Sequence, residues 1–222
     1  MIGDDIRARV FRNTNDFYLR EAGVVASPSL IRFARKHAGR EVLDLGCAIG
    51  SYSLRLAELG YTVTGADVNP AYVERARERG VNAHLVKDRL PFPDGAFDTV
   101  LLFEVVEHLE DPGPVLQEAR RVARRNVLVT VPHSGDVELL QRQGLLYEHF
   151  ADMDHKNFFT VDSLRGLLTG HFPSVRVWKG NGLNPFGLVP FTPVRWFGRL
   201  LTWIRPAPVR FHFRLFAVAS VS

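Results

Sequence analysis

Glu41-Val-Leu-Asp-Leu-Gly-Cys-Ala-Ile-Gly50 is the stretch that decides how this chain is read. Val42, Leu43 and Leu45 form a short apolar run around Asp44, the pattern of a strand buried on both faces. Gly46 and Gly50 bracket a tight turn, and Ser51-Tyr-Ser-Leu54 opens a helical pattern that reaches Leu59. Strand, glycine turn and helix N-terminus together suit a nucleotide-like ligand. Glycine lets the ligand approach the backbone, and the N–H groups of the first helical turn face it. Tyr61 to Ala66 reads as a second strand and ends on Asp67, a carboxylate placed to accept both hydroxyls of a ribose. The dinucleotide fingerprint of dehydrogenases carries an acid at a similar distance. It also wants glycine where Ala48 and Ser51 stand, so only Gly46 fits it.

The same run resembles the first motif of the class I S-adenosylmethionine-dependent methyltransferases, acid-x-Gly-x-Gly-x-Gly, through Asp44, Gly46, Ala48 and Gly50. Ala48 stands where the family has its middle glycine, and the resemblance is best over residues 40–135. It implies an α/β, Rossmann-like sheet of seven strands, mostly parallel with the last strand antiparallel, and helices on both faces. It also implies one domain over 1–222: an N-terminal helical lid at 1–39, a cofactor core at 40–135 and an acceptor-side half at 136–222 with an insertion at about 180–208. The implied cofactor is S-adenosylmethionine, leaving as S-adenosylhomocysteine. The residues expected to touch it are Asp44, Gly46, Cys47, Ala48, Gly50, Asp67, Val68, Asp88 and Phe103. In the family an acid after the third strand, here Asp88, commonly holds the adenine amino group. Cys47 reads as a small buried filler with no base beside it.

Strand and helix signals alternate along the core. Asn69-Pro70 starts a helix ended by Gly80, Val81–Val86 is a third strand, and Ala96–Phe103 is a fourth. Asp111-Pro112 starts the next helix, and Asn126–Val131 is a fifth strand. Before the core, Ser27-Pro28 starts a helix through Arg35, and Phe17 and Tyr18 are the expected anchors of the first 27 residues. Beyond Pro132, the expectations are a helix over 137–146, a second with Thr160 as N-cap, and strands at 174–178 and 211–218.

With 46% hydrophobic residues the chain can pack a sizeable core, and one cysteine excludes an internal disulfide, which makes a reducing cytoplasm the expected compartment. No apolar N-terminal signal is read, and no apolar run approaches ~18 residues. The net charge of +4 is unevenly spread: after Asp162 there are eight basic residues and no acid, which leaves −4 on the first 162. A one-sign segment fits an anionic partner or a solvated basic face. Within it, Trp196, Phe197, Leu200, Leu201 and Ile204 follow helical spacing over 193–204, a packed insertion, a lid, a dimer surface or a peripheral membrane contact.

Methyl transfer to a hydroxyl requires that the acceptor lose its proton. Glu104, Glu107 and His108, just after the fourth strand, fall at i, i+3 and i+4, which one helical turn would place on one face. In one reading His108 is a general base or a pocket wall. In the other, the segment resembles the metal-binding Glu-x-x-Glu-His of small-RNA terminal 2′-O-methyltransferases. Asp154-His-Lys-Asn-Phe-Phe-Thr160 then resembles that family's second segment and makes His155 a fourth ligand to magnesium or manganese. The same likeness extends to ubiquinone-pathway O-methyltransferases. Val131-Pro-His-Ser134 departs from the RNA enzymes, so a small-molecule or lipid-like acceptor, anionic in the tail's charge context, is favoured over RNA. His133 and His149 are further polar candidates near the pocket, and for each a satisfied structural histidine is the reading preferred over a catalytic one. A non-catalytic cofactor-binding scaffold is the remaining alternative. The chain carries no signal for its oligomeric state.

Overall fold

The computed structural model describes residues 26–87, 89–135, 155–183 and 211–221, with the single positions Pro193 and Trp196. The expectations for 1–25, for Asp88, for a helix at 137–146, for His149 and for most of 193–204 lie outside the described residues.

The seven-stranded sheet has the order β3-β2-β1-β4-β5-β7-β6. Its strands are β1 Glu41–Leu45, β2 Thr62–Asp67, β3 Ala83–Leu85, β4 Phe97–Phe103, β5 Ala123–Pro132, β6 Ser174–Leu183 and β7 Phe211–Ser220. β1 pairs in parallel with β2 and β4, β2 with β3, and β4 with β5. β7 runs antiparallel to both β5 and β6. The chain reverses its direction of travel across the sheet between β1 and β4. The carboxyl ends of those two strands are therefore the topological switch point, where open α/β sheets bind ligands.

The apolar runs make sense as strands covered twice. Val42, Leu101, Leu128, Phe216 and Val218 face α1 (Pro28–His37) and α2 (Ser51–Glu58), where Leu30, Phe33, Ala34 and Leu56 are buried against them. Their neighbours Leu43, Val100, Leu102, Val127 and Val129 face the other way. They pack with Leu116 and Ala119 of α4 (Gly113–Val122) and Leu164 and Leu168 of α5 (Val161–Thr169). Alternate residues of one strand thus serve two layers, which leaves no polar stripe to expose. α3 (Pro70–Glu78) packs Val73 and Ala76 on Val81 and Ala83, capped by Asn69, whose side chain accepts from the Ala71 and Tyr72 N–H groups. Thr160 caps α5 and accepts from the Ser163 N–H.

Two expectations change. β5 begins at Ala123, three residues early, because Ala123 pairs with Phe97 across an irregularity in the β4 register. β6 continues past Trp178 to Leu183, paired with β7, so the connecting segment begins after 183. Gly180 permits this because a Cβ there would lie 2.3 Å from the Phe216 ring.

Candidate functional site

The turn after β1 is built from hydrogen bonds to β2. The Gly46 and Cys47 N–H groups donate to the Ala66 carbonyl at 2.8 and 3.1 Å, and the Ala48 N–H donates to Asp67 Oδ2 at 2.8 Å. Gly46, Ala48 and Gly50 have φ of 81°, 45° and 77°, the left-handed region. Ala48 therefore adopts the backbone that the motif's glycine would favour and bears the cost of its Cβ there. Gly50 is also the N-cap of α2. A Cβ on Gly46 would lie 2.5 Å from Val105 Cγ2, so this turn and the segment after β4 are packed against each other.

Asp44 is 1% exposed and accepts from Ser53 Oγ at 2.6 Å. Burial, with Asp67 nearby, raises its carboxyl to about 6 against the hydrogen bond from Ser53. It ties α2 to β1 from inside. Asp67 stands at the end of β2, accepts from Ala48 and Asn69, and is raised by burial. Val68 beside it is 71% exposed, an apolar side chain at the rim of the crevice. Cys47 is buried, and burial followed by the charges of Asp44 and Asp67 pushes its thiol upward, as suits a filler. Phe103 ends β4 with its ring edge-on to Tyr52 of α2 at 5.6 Å.

After Phe103 the chain does not make the expected helical turn. Glu104 is left-handed, with φ 57°, and only Val106–His108 form a 3₁₀ turn. Arg214 of β7 takes Glu104 in a two-pronged pair, Nε to Oε1 at 3.0 Å and Nη2 to Oε2 at 3.1 Å. The Glu104 N–H donates to the Thr130 carbonyl. Glu104 is thus drawn toward β7 and is not part of the cluster formed by the next residues. Three of the four expected ligands are therefore the ones gathered near one another. Nothing in the sequence near 104 points to Arg214, 110 residues away.

Glu107, His108 and His155 do come together: each offers one ligand atom, and all three atoms lie within 4.8 Å of one another. The His108 and His155 rings are 4.7 Å apart. The Glu107 carbonyl accepts the N–H groups of both Lys156 and Asn157, at 2.7 and 2.9 Å, and Asn157 Nδ2 donates to the Leu109 carbonyl. These three bonds lay the segment after His155 against the 3₁₀ turn. Glu107 is fully buried and the two histidines are half-buried. One carboxylate and two imidazoles are a donor set for a transition-type divalent ion with coordination positions left over, so the residues fit such an ion. His133 is buried, with Nδ1 3.2 Å from the His212 carbonyl and its N–H on Phe213, a structural placement.

Residues 43–131 match the methyltransferase domain family. The chain is 29% identical over 182 residues to a ubiquinone biosynthesis O-methyltransferase from Caulobacter sp. strain K31, covering 72% of each. Over 117 residues it is 34% identical to the 27-O-demethylrifamycin SV methyltransferase of Amycolatopsis mediterranei, covering 48% of this chain and 43% of the relative. Among solved structures, a SAM-dependent methyltransferase from Archaeoglobus fulgidus superposes with a TM-score of 0.65 at 18% identity, over 97% of this chain and 98% of that one.

Proposed function

We propose that this chain, a class I S-adenosylmethionine-dependent methyltransferase, moves the methyl group to a hydroxyl oxygen of a small-molecule acceptor. The acceptor oxygen attacks the methyl carbon, the S–C bond breaks with its electron pair going to sulfur, and the hydroxyl proton leaves. S-adenosylhomocysteine and the methyl ether are the products. Asp67 would hold the ribose hydroxyls, and the Gly46–Gly50 turn would receive the cofactor backbone-first. Two curated relatives whose names describe O-methylation support oxygen as the acceptor atom. The ubiquinone-pathway name supports a hydroxylated ring.

The observation that carries the reading is the gathering of Glu107, His108 and His155 by chain segments 48 residues apart in sequence, after the fourth strand of the sheet. Two roles fit it. In the first, His108 accepts the acceptor's proton and His155 and Glu107 orient it. The second is favoured by the donor set: Glu107, His108 and His155 hold a divalent ion, with imidazole favouring manganese over magnesium. A bound ion would acidify and orient a hydroxyl or a vicinal pair of oxygens.

Metal-stripped enzyme should be offered S-adenosylmethionine with catechols, hydroquinones, monophenols and a short RNA with a free 3′ terminus, with and without manganese. Release of S-adenosylhomocysteine and the added methyl mass would be read together. The expected result is turnover of a ring hydroxyl, lost in His108→Ala. Manganese dependence that disappears in His155→Ala selects the second role. Turnover of RNA alone would overturn the small-molecule reading, and cofactor binding with no turnover would make the chain a scaffold.

A further inference from the structure

β6 is an edge strand, and its two faces are treated differently. Val175 and Val177 pack inward with Leu164 and Leu168 of α5. Trp178, on the opposite face, lies against α1 and β7, with its ring 5.6 Å from Phe33, 5.9 Å from His37 and 6.0 Å from Phe216. It remains 37% exposed. Beside it runs a groove of about 260 Å³ lined by Arg32, Phe33, Lys36, His37, Trp178 and Phe216. Arg176 lies close enough that its charge, with that of Lys36, helps burial lower the His37 pKa. Arg32, Arg35, Lys36, Arg176 and Lys179 are all exposed. No acidic residue occurs in 26–40, in 174–183 or in 211–221, the described segments that supply the groove's lining.

We infer that this groove is a docking face for an anionic lipid surface. The floor is aromatic and the rim is cationic, which is the complement of a phosphate headgroup over acyl chain. A tryptophan with one end in an aromatic cluster and the other wet is the side chain favoured at a membrane–water boundary. A nucleic-acid stacking platform needs an open ring face, and three rings already contact Trp178. Edge-strand cations also discourage strand pairing. That role accounts for Arg176 and Lys179 but not for Arg32 and Lys36 converging on the same groove from α1. The site adds to the methyl-transfer reading and does not depend on it.

The test is sedimentation of the whole chain with phosphatidylcholine vesicles, with and without phosphatidylglycerol. Binding is expected only with the anionic lipid, and it should weaken as salt rises. Each cation near such a surface strengthens partitioning about fivefold, so Arg32→Glu with Lys36→Glu should weaken it by well over tenfold. Trp178→Ala should weaken it several-fold, while Arg75→Glu, at an exposed position of α3, should not change it. Retained S-adenosylhomocysteine binding in each variant establishes that it is folded, and Trp178→Phe supplies a milder variant if Trp178→Ala is not. Equal sedimentation with neutral vesicles would overturn the inference. So would unchanged binding of the double variant, or displacement of the vesicles by an RNA oligonucleotide carrying the same charge.

Discussion

Replacing Asp44 by Asn should stabilise the protein at neutral pH. Asp44 is 1% exposed, the Ser53 hydroxyl and backbone N–H both donate to it, and Asp67 adds a like charge nearby. Burial raises the carboxyl from 3.8 to about 6. Between those values the native state keeps the proton while the unfolded chain has lost it. Stability contributed by this group therefore falls as pH rises through the window, and the loss is complete above it. The interval corresponds to roughly 3 kcal/mol. Asparagine carries no charge and keeps a carbonyl oxygen for Ser53. Its amide N–H groups need partners, a cost of about 1 kcal/mol or more. Urea denaturation across pH 4 to 8 is the assay. The stability of Asp44→Asn minus that of the wild type should rise with pH by up to about 3 kcal/mol, then level off above roughly pH 6.5. A difference that is flat, or that falls with pH, would refute the reasoning, because it would mean that the carboxylate is held ionised.

Ala48→Gly should add about 1 kcal/mol, since φ of 45° strains the alanine and not glycine. Thermal denaturation checks it. Gly46→Ala combines a left-handed φ with a 2.5 Å approach to Val105 and should cost about 2–4 kcal/mol. Adding Val105→Ala should relieve the steric share, read in the same denaturation experiment. Arg214→Met leaves Glu104 alone in a position only 24% exposed and should cost about 1–3 kcal/mol, reduced by salt in the wild type but not in the variant. Manganese titrated into the metal-stripped complex with S-adenosylhomocysteine should bind at least about tenfold more weakly in His155→Ala, and only slightly changed in Glu104→Gln. Equal losses in both would return Glu104 to the ligand set.

The cofactor half was legible because its signals are local. Strand, turn and helix follow one another between Glu41 and Glu58, and Asp67 ends the next strand in register with them. The histidine cluster was legible only through family resemblance, since the bonds that bring His155 to His108 join Glu107 and Leu109 to residues near 156. The placement of Glu104 was not legible at all. Helical spacing assumes a helix, and the chain after β4 turns through a left-handed residue locked by a distant arginine. Asp44 was read as a cofactor contact from its motif position, and its bond from Ser53, which ties α2 to β1, has no signal in the sequence. The groove beside Trp178 was hidden for the same reason as Glu104. It is made by α1, β6 and β7, which are far apart in sequence.

The most direct test of the account is calorimetric titration of S-adenosylhomocysteine into the wild type and into Asp67→Asn. The account predicts one site per chain. It also predicts about tenfold or greater weakening in the variant, because the carboxylate that would take the ribose hydroxyls has lost its charge. No heat with the wild type, or equal affinity in the variant, would contradict it.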